Sequence, residues 1–233
     1  MAVRTISCII PAHNEAERIG KVLEVVTAHP SIAEVIVIDD GSTDATSAVA
    51  KRFPSVRLIT LDTNRGKSFA LYEGIGRATG DFLMFIDADL IGLASEDLTA
   101  LIGPVESGRA EVSLSLRKNT PFPWRVIGLD YLSGERVFPK RFLSESMQAL
   151  KKVRGFGFEV FLNRLILRRH LSVAVVRWEG VQSPYKYAKY GLIAGLKADI
   201  CMMRDIFSVI SPFEALTQIV GMLRLKAKHP RHL

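Results

Sequence analysis

Two aspartates, Asp87 and Asp89, are spaced so that both side chains could bind the same ligand. They follow the apolar run FLMFI at positions 82–86, which is typical of a buried strand. Two carboxylates at i and i+2 at a strand end can hold a divalent cation, because such cations prefer oxygen ligands and commonly bridge phosphates. The alternative is that the aspartates only cap the following helix. We expect the cation site, since the strand places both carboxylates at the edge of the sheet.

Polar residues also stand at the ends of two earlier apolar runs. Pro11 to Glu15 follow the run ISCII, and Asp39 and Asp40 end the run EVIVIDD at 34–40. In an open α/β sheet, ligands bind beyond the carboxyl ends of the strands. These residues and the aspartate pair are therefore expected to line one site.

Short apolar runs alternate with helical patterns through the first ninety residues. Asn14, with Glu17 three residues later, resembles a capping box at the start of the first helix. Repeated strand–helix–strand units predict a parallel sheet with helices on both faces, which makes the chain an α/β protein. Strands are predicted at 6–12, 34–39, 56–61 and 82–87. Helices are predicted to end before Pro30 and Pro54 and to cover about 68–78.

The rest of the chain has a looser pattern. We expect a Pro-rich loop at 119–124 and an amphipathic helical segment from Pro184 to about Lys228. Helices are predicted at 95–107 and 157–170, and strands at 110–117 and 171–178. No linker divides the chain, so we expect one domain over residues 1–183 followed by a helical segment at 184–233.

The formal net charge of the 233 residues is +7, which would suit a nucleic-acid-binding protein if it were spread evenly. Residues 1–112 instead carry −6, residues 113–183 carry +8 and residues 184–233 carry +5. This division argues against nucleic acid as a partner. Two cysteines cannot form a disulfide framework or a Cys-rich zinc site. No uncharged stretch approaches the roughly 18 residues that a membrane-spanning helix needs.

Two common nucleotide-binding loops are excluded by the residues present. A dinucleotide-binding fingerprint requires G-x-G-x-x-G after the first strand, where this chain reads PAHNEAE. A P-loop requires a glycine five residues before Gly66, and Leu61 stands there. A nucleotidyltransferase also uses paired aspartates, but it normally has a glycine-rich loop after the first strand.

The segments PAHNEAERI, VIVIDDGSTDAT, NRGKSFAL and GDFLMFIDADL resemble, in order and spacing, the family 2 glycosyltransferases of the GT-A fold. The resemblance implies a nucleotide-sugar donor, with GDP or UDP as the nucleotide, and Mg²⁺ or Mn²⁺ as cofactor. It assigns Asp87 and Asp89 to the ribose and the metal, with Asp89 also catalytic, and it places Lys67 near the nucleotide. The residues implied around the base and ribose are Pro11, Ala12, Asn14, Glu15 and Asp40, and Asp39 would support them. Ala88, between the two aspartates, is also implied to bind the nucleotide sugar.

Segments of the second half resemble the acceptor part of dolichol-phosphate mannose synthases and related polyprenyl-phosphate glycosyltransferases. These segments are SLSLR (113–117), LSGERVFPKRFL (132–143) and GFGFEVFL (155–162). The resemblance implies a dolichyl or undecaprenyl monophosphate as acceptor and inversion at the anomeric carbon. It assigns Arg117, Ser133 and Arg136 to the lipid phosphate, with Arg117 also catalytic. Arginine suits a phosphate because its guanidinium donates paired hydrogen bonds. It also divides the domain into a nucleotide-sugar-binding half (1–112) and an acceptor half (113–183).

The chain departs from those enzymes at two points. Leu90, Ile91 and Gly92 follow the aspartates, where a polar residue that helps to hold the metal is expected. Glu135 continues the Ser-Gly turn, where an aromatic residue is common. The resemblance therefore leaves the identities of the sugar and the lipid open.

Other functions remain as alternatives. A phosphate acceptor is anionic near neutral pH and needs no strong base, whereas a hydroxyl acceptor on a glycan or glycolipid requires a carboxylate base. Glu159, a predicted catalytic residue at a helix start, or Asp130 could supply it, although Glu159 could instead only stabilise the helix N-terminus. A non-catalytic nucleotide-sugar-binding protein is less favoured, because the aspartate pair and Arg117 are intact.

The last fifty residues mix tyrosines and lysines with short apolar faces. Amphipathic helices of this kind can lie in the headgroup region of a membrane, where basic residues attract anionic lipids. We expect residues 184–233 to bind a membrane surface, which would make the protein a peripheral protein of the cytoplasmic face. The alternative is that these helices pack on the sheet or on a second copy of the chain in a homodimer.

Overall fold

A seven-stranded sheet forms the centre of the structure, a computed structural model that describes residues 5–153, 157–184 and 210–227. The strands are β1 (Ile6–Ala12), β2 (Ile32–Asp39), β3 (Val56–Thr60), β4 (Phe82–Phe85), β5 (Val112–Arg117), β6 (Arg136–Pro139) and β7 (Val173–Trp178). Their order across the sheet is β3-β2-β1-β4-β6-β5-β7. β6 is antiparallel to both of its neighbours, and the other pairs are parallel.

Helices cover both faces of this sheet, which confirms the predicted α/β architecture. Those in the described residues are α1 (Ile19–Ala28), α2 (Thr46–Ala50), α3 (Lys67–Arg77), α4 (Ser95–Glu106), α5 (Phe122–Ile127), α6 (Lys140–Ser144), α7 (Met147–Leu150), α8 (Gly157–Arg169) and α9 (Pro212–Arg224). α1, α2 and α4 pack on one face, and α3, α8 and α9 on the other.

The strand β1 shows why its sequence is an unbroken apolar run. Successive side chains of a strand point to opposite faces of the sheet. Cys8 and Ile10 accordingly pack in the cluster under α1 and α4, whereas Ile9 packs in the cluster under α3. All three are fully buried. A strand that is covered on both faces needs apolar residues at every position rather than at every second one.

The predicted strands and long helices are found within about two residues of their bounds, whereas four short elements, β6, α5, α6 and α7, were not predicted. The strand β6 was not predicted, because it has four residues and ends at Pro139, which has no N–H for a ladder. The segment expected as a Pro-rich loop is helical from Phe122 to Ile127. Proline is tolerated in the first turn of a helix, whose N–H groups have no acceptor within the helix.

The predicted capping box at Asn14 and Glu17 is wrong. The helix α1 begins at Ile19, and its N-cap is Arg18. Asn14 lies in the left-handed region with a φ of 56°, and its side chain accepts a hydrogen bond from another loop, the N–H of Thr43. The residue therefore joins two loops and does not start a helix.

The C-terminal segment is described in part. Residues 185–209 and 228–233, on which most of the predicted amphipathic segment falls, lie outside the described residues. Within α9, Gln218 and Met222 are buried while Phe213 and Leu216 are exposed, as expected for an amphipathic helix. Within the described ranges, no helix is both long enough and apolar enough to cross a membrane.

Candidate active site

The carboxyl ends of β1 and β2 meet at one edge of the sheet. Ala12 pairs with Asp39 across the two strands. Just beyond them, the N–H of Asp40 donates to the carbonyl oxygen of Ala12 (2.8 Å). The Nδ1 of His13 lies 2.9 Å from the carbonyl oxygen of Asp40. The ends of these strands therefore form one wall, and Pro11 keeps part of its surface open at that edge.

The loop after β1 is tied to the loop after β2. The backbone N–H of Asn14 donates to the hydroxyl of Ser42 (2.9 Å), and that of Glu15 donates to the hydroxyl of Thr46 (2.8 Å). Asn14 stays exposed, whereas Glu15 is buried. The two loops are thereby held as one unit, from which Asn14 can reach a ligand.

Asp39 and Asp40 are buried carboxylates that hold the surrounding main chain. The N–H of Ser42 donates to Asp39 Oδ1 (2.9 Å). Asp40 accepts the N–H groups of Arg65 and Gly66 on its two oxygens, at 2.8 and 2.7 Å. Hydrogen bonds to a charged acceptor are among the strong ones, typically about 1.5–3 kcal/mol each. The two aspartates therefore shape the edge on which a nucleotide was predicted to bind.

Gly41 is needed at the turn between these loops. Its φ is 67°, and a Cβ there would lie 2.6 Å from the backbone nitrogen of Asn64. A non-glycine residue would be strained by both the left-handed conformation and the close approach. This position explains why the motif reads DDGS.

Lys67 connects the donor carboxylates to the acceptor half of the chain. It is the first residue of α3, and its Nζ lies 2.7 Å from Asp87 Oδ1 and 3.1 Å from Glu159 Oε1. Burial lowers the pKa of Lys67, but the two carboxylates outweigh burial and leave the pKa above its ordinary value. Lys67 is therefore a cation held between Asp87, just after β4, and Glu159, in α8.

Gly134 makes room for this lysine. A Cβ on Gly134 would lie 2.8 Å from Lys67 Nζ and 3.0 and 3.1 Å from the two carboxylate oxygens of Asp87. The Ser-Gly turn of the acceptor half thus packs directly against the ion pair at the end of β4. The sequence signalled the turn, but not its contact with Lys67.

The donor set at the end of β4 suits a cation that is only partly enclosed by protein. Asp87 and Asp89 are both half-buried there, and Ala88 between them is buried. Within the described part of the chain, no three or more His, Cys, Asp and Glu side chains converge to hold a metal. Two carboxylates fit Mg²⁺ or Mn²⁺ when the remaining ligands are phosphate oxygens and water.

Arg117, at the end of β5, is held by a buried carboxylate. Its Nη1 donates to Glu135 Oε1 (3.0 Å) and to the hydroxyl of Ser183. Burial lowers the pKa of Arg117, but the charge of Glu135, followed by that of Asp87, outweighs burial and raises the pKa. Arg117 is therefore a charged group at the same edge of the sheet as the aspartates after β4.

Glu135 itself is fully buried and has three donors around it. Its Oε2 accepts from the hydroxyls of Ser115 (2.7 Å) and Ser133 (3.1 Å), and its Oε1 accepts from Arg117. The two serine hydroxyls also lie 2.8 Å apart. Ser133 is fully buried in this network, so it has no surface for the lipid phosphate that it was predicted to bind.

The structure contradicts the predicted role of Arg136 in binding a lipid phosphate. Arg136 is fully buried, and burial lowers its pKa. Its Nε and Nη2 donate to the carbonyl oxygens of Ser133 (2.6 Å) and Tyr131 (3.0 Å), and its Nη1 donates to Asn163 Oδ1 (2.6 Å). Each nitrogen holds the Ser-Gly turn or α8 in place, and the residue has no surface for a ligand.

The two candidate bases lie in different surroundings. Asp130 is buried and accepts from the hydroxyl of Thr120 (3.0 Å) and the N–H of Leu132 (3.1 Å), which indicates a structural role in the turn. Glu159 is 3% exposed at the start of α8 and contacts Lys67. Its Oε2 is buried and has no hydrogen-bond partner among the described residues. Glu159 therefore belongs to the site rather than to a helix terminus alone.

Solved structures share this fold. The glucosyl-3-phosphoglycerate synthase of Mycobacterium tuberculosis, crystallised with Mn²⁺, uridine diphosphate and glucosyl-3-phosphoglycerate, matches with a TM-score of 0.70 at 24% identity. The match covers 88% of this chain and 80% of that one. A further mycobacterial crystal structure matches with a TM-score of 0.65 at 24% identity, over 83% and 73% of the two chains. At this identity the likeness concerns the fold.

Two comparisons of sequence identify the family. The 4,4'-diaponeurosporenoate glycosyltransferase of Staphylococcus aureus strain MRSA252 is 36% identical over 103 residues, which are 42% of this chain and 28% of that protein. The match thus spans less than a third of that relative's length. The model of the family named Glycosyl transferase family 2 matches residues 7–172, from β1 to beyond α8. The chain therefore belongs to glycosyltransferase family 2.

Proposed function

We propose that the chain transfers a sugar from a nucleotide diphosphate sugar to a polyprenyl monophosphate, with Mg²⁺ or Mn²⁺ as cofactor. One observation carries the proposal: the aspartates after β4 and the guanidinium of Arg117 after β5 share one edge of the sheet. Two consecutive residues link these groups: a Cβ on Gly134 would lie 3.0 Å from Asp87, and Glu135 bonds Arg117 at 3.0 Å. A donor and an anionic acceptor bound to these groups would lie close enough to react.

The donor end holds the leaving group. Asp87 and Asp89 would bind the cation, which when bound stabilises the charge that develops on the diphosphate as the glycosidic bond breaks. Lys67 adds a second positive charge beside these carboxylates. Asn14, Asp40 and the loops that they join would hold the nucleoside, so that the sugar is presented from a fixed position.

The acceptor end needs orientation more than it needs a base. A phosphate monoester is already anionic near neutral pH, so its oxygen can attack without losing a proton to the protein. Arg117 would hold that phosphate in line with the bond to the leaving group. Attack from the opposite face would give inversion at the anomeric carbon.

Exposed apolar surface beside Arg117 supports a lipid as the rest of the acceptor. The helix α5 begins five residues after Arg117, and its Phe122 and Val126 are 76% and 69% exposed. Lys226 Nζ donates to the carbonyl of Gly128, the C-cap of α5. The exposed apolar residues of α9 are Phe213, Leu216 and Val220. Together with the basic acceptor half, this surface suits the headgroup region of an anionic membrane.

A hydroxyl acceptor is the second candidate, and Glu159 favours it. Its buried Oε2, without a hydrogen-bond partner among the described residues, is an acceptor that a substrate hydroxyl could satisfy. Such an acceptor must lose a proton during transfer, and Glu159 would receive it. Asp130 is not favoured as the base, because both of its carboxylate oxygens hold the turn.

A donor panel tests the proposal. UDP- and GDP-sugars are each incubated with Mg²⁺ or Mn²⁺ and a short-chain polyprenyl phosphate, and products are resolved by mass and their anomeric configuration by NMR. We expect a lipid-linked sugar with inverted configuration from one donor. Arg117→Ala should lower the rate about 10²-fold, whereas Lys118→Ala, at the exposed neighbouring position, should retain it. No lipid-linked product from any donor, together with transfer to a hydroxyl compound, would establish the second candidate instead.

A further inference from the structure

Glu135 is an acidic residue directly after the Ser-Gly turn, and burial raises the pKa of its carboxyl while the charge of Arg117 lowers it. It is fully buried beside the candidate acceptor arginine. A buried carboxylate is costly unless it is paired and hydrogen-bonded, and Glu135 is both. Its Oε2 is held by the hydroxyls of Ser115 and Ser133, and its Oε1 holds Arg117 Nη1 at 3.0 Å. The carboxyl group is thus fixed by one hydroxyl from β5 and one from the turn before β6, and its other oxygen contacts the guanidinium.

The contacts of Arg117 divide its guanidinium into two edges. Glu135 and Ser183 both accept from Nη1. The Nε is buried and has no hydrogen-bond partner among the described residues. A guanidinium can donate two parallel hydrogen bonds from its Nε–Nη2 edge to one phosphate or carboxylate. Glu135 and Ser183 bond Nη1 and not Nε, so a bidentate partner that reached the Nε–Nη2 edge would satisfy the buried Nε.

We propose that Glu135 is a positioning residue: by holding Nη1, it presents the Nε–Nη2 edge of Arg117 to the anionic group of the acceptor. The inference rests on the proposed function, in which Arg117 binds that group. It adds that the acceptor is read by one planar, bidentate contact, which favours a phosphate or carboxylate end over a neutral one. Glu135 itself touches no substrate.

The test compares acceptor and donor kinetics in Glu135 variants. Glu135→Ala removes the contact with Nη1, and we expect the KM for a short-chain polyprenyl phosphate to rise about tenfold. The KM for the nucleotide sugar and the slow hydrolysis of the donor by water should change much less, since the side-chain hydrogen bonds of Glu135 go to Ser115, Ser133 and Arg117 and not to the donor residues. Glu135→Gln keeps an oxygen that can accept from Nη1, so its KM should lie between those of the wild type and Glu135→Ala. Glu145→Gln, which removes an exposed carboxylate, is the matched control.

A double-mutant cycle with Arg117→Ala separates the two proposals. If Glu135 acts through Arg117, adding Glu135→Gln to Arg117→Ala changes the acceptor KM no further. Equal loss of donor hydrolysis and acceptor transfer in Glu135→Gln would show that Glu135 only stabilises the fold and would overturn the inference, as would additive effects in the cycle. If Arg117→Ala leaves the acceptor KM unchanged, the proposed function itself fails. Because Glu135→Gln is nearly isosteric, the test does not depend on whether Glu135→Ala folds.

Discussion

The donor and acceptor halves hold their charged groups by different means. In the donor half, Asp40 accepts two backbone N–H groups and Asp39 accepts a third. In the acceptor half, Glu135 and Arg117 are held mainly by other side chains. Backbone donors are present whatever the side chain, whereas a network of side chains fails when one member is replaced. The donor site is therefore set by loop geometry, and the acceptor site can be changed by single substitutions.

The two halves also differ in what they expose. Seven large apolar side chains are well exposed among the described residues, and Ile91 belongs to the donor half. The other six lie on α5 and α9. The donor half buries its apolar residues in two clusters against the sheet. A ligand with an apolar tail thus has a surface to contact beside the acceptor half.

The largest effect is expected from the carboxylate pair at the end of β4. Asp89→Ala should lower the rate of sugar transfer at least about 10³-fold, because only one of the two carboxylates would remain to hold the cation that would stabilise the charge on the leaving diphosphate. Asp89→Asn keeps the shape of the side chain and removes its charge, and it should lower the transfer rate nearly as much. Both are measured by product formation at saturating Mn²⁺. Glu96→Gln, an exposed carboxylate at the start of α4, is the control, and turnover of Asp89→Ala at the rate of this control would refute the metal role.

A smaller loss is expected where the two halves touch. Gly134→Ala places a Cβ 2.8 Å from Lys67 Nζ and 3.0 Å from an oxygen of Asp87, so this ion pair must rearrange. We expect the transfer rate to fall about 30-fold, since a displaced charge near the reacting group is costly even over about 1 Å.

Gly103→Ala is the matched control, because nothing lies within 4 Å of a Cβ there. Gly103 lies within α4, so its replacement by alanine should leave the transfer rate unchanged and raise the free energy of unfolding by about 0.5–1 kcal/mol. Equal rates in the two variants would show that Lys67 tolerates displacement.

Most of the donor half could be predicted from the sequence. Apolar runs marked β1, β2 and β4, and the rule that ligands bind beyond parallel strand ends placed Asp39, Asp40 and Asp87 at one edge. Each of these residues follows its strand within a few positions, so local pattern was enough. Asn14 was also placed at this edge, although its local conformation was misread as the start of a helix.

The acceptor half could be predicted less well, because its site depends on contacts between distant segments. Arg136 stands in a motif that suggests phosphate binding, yet β6 turns its side chain into the interior, where it bonds Asn163 of α8. The strand β6 has four residues and no periodicity of its own to reveal it. The contact of Lys67 with Glu159 joins residues 92 positions apart, and no pattern in the sequence marks it.

The apolar surface of α5 gives the next prediction. Replacing Phe122 and Val126 together by serine should lower binding to vesicles of phosphatidylcholine and phosphatidylglycerol about tenfold, because two exposed side chains would no longer insert among the lipids. Sedimentation of the protein with vesicles measures this change. Replacing the same two residues by leucine keeps the apolar surface and should retain binding. Transfer to a short-chain, soluble acceptor should be the same in all three proteins. If the serine variant sediments like the leucine variant, α5 is not part of a membrane surface.

The smallest effect is expected from Glu34, a carboxylate of the donor half that lies away from the site. We expect it to contribute to the stability of the fold and not to the transfer rate. Glu34 stands near the start of β2, at the opposite edge of the sheet from Asp39. Its Oε2 accepts from the hydroxyl of Ser7 (2.6 Å) and the N–H of Thr79 (3.0 Å), and so joins the first residues of β2 to β1 and to the segment before β4. Burial raises the pKa of Glu34, but these hydrogen bonds outweigh burial and leave the pKa below its ordinary value of 4.5.

A carboxyl whose pKa is lower in the folded state stabilises that state when it is ionised. The contribution of Glu34 is therefore complete well above pH 4.5 and disappears as the pH falls through the lower pKa of the folded protein. Glu34→Gln should lower the free energy of unfolding by about 1–2 kcal/mol at pH 7 and by less as the solution is acidified. Urea unfolding at a series of pH values measures this difference, and Glu24→Gln, on the exposed side of α1, should show none. Because Glu34 is far from the strand ends that hold the donor, transfer at pH 7 should be unchanged. A loss of transfer in Glu34→Gln that matches its loss of stability would mean that the donor site depends on the whole sheet and not on its own loops.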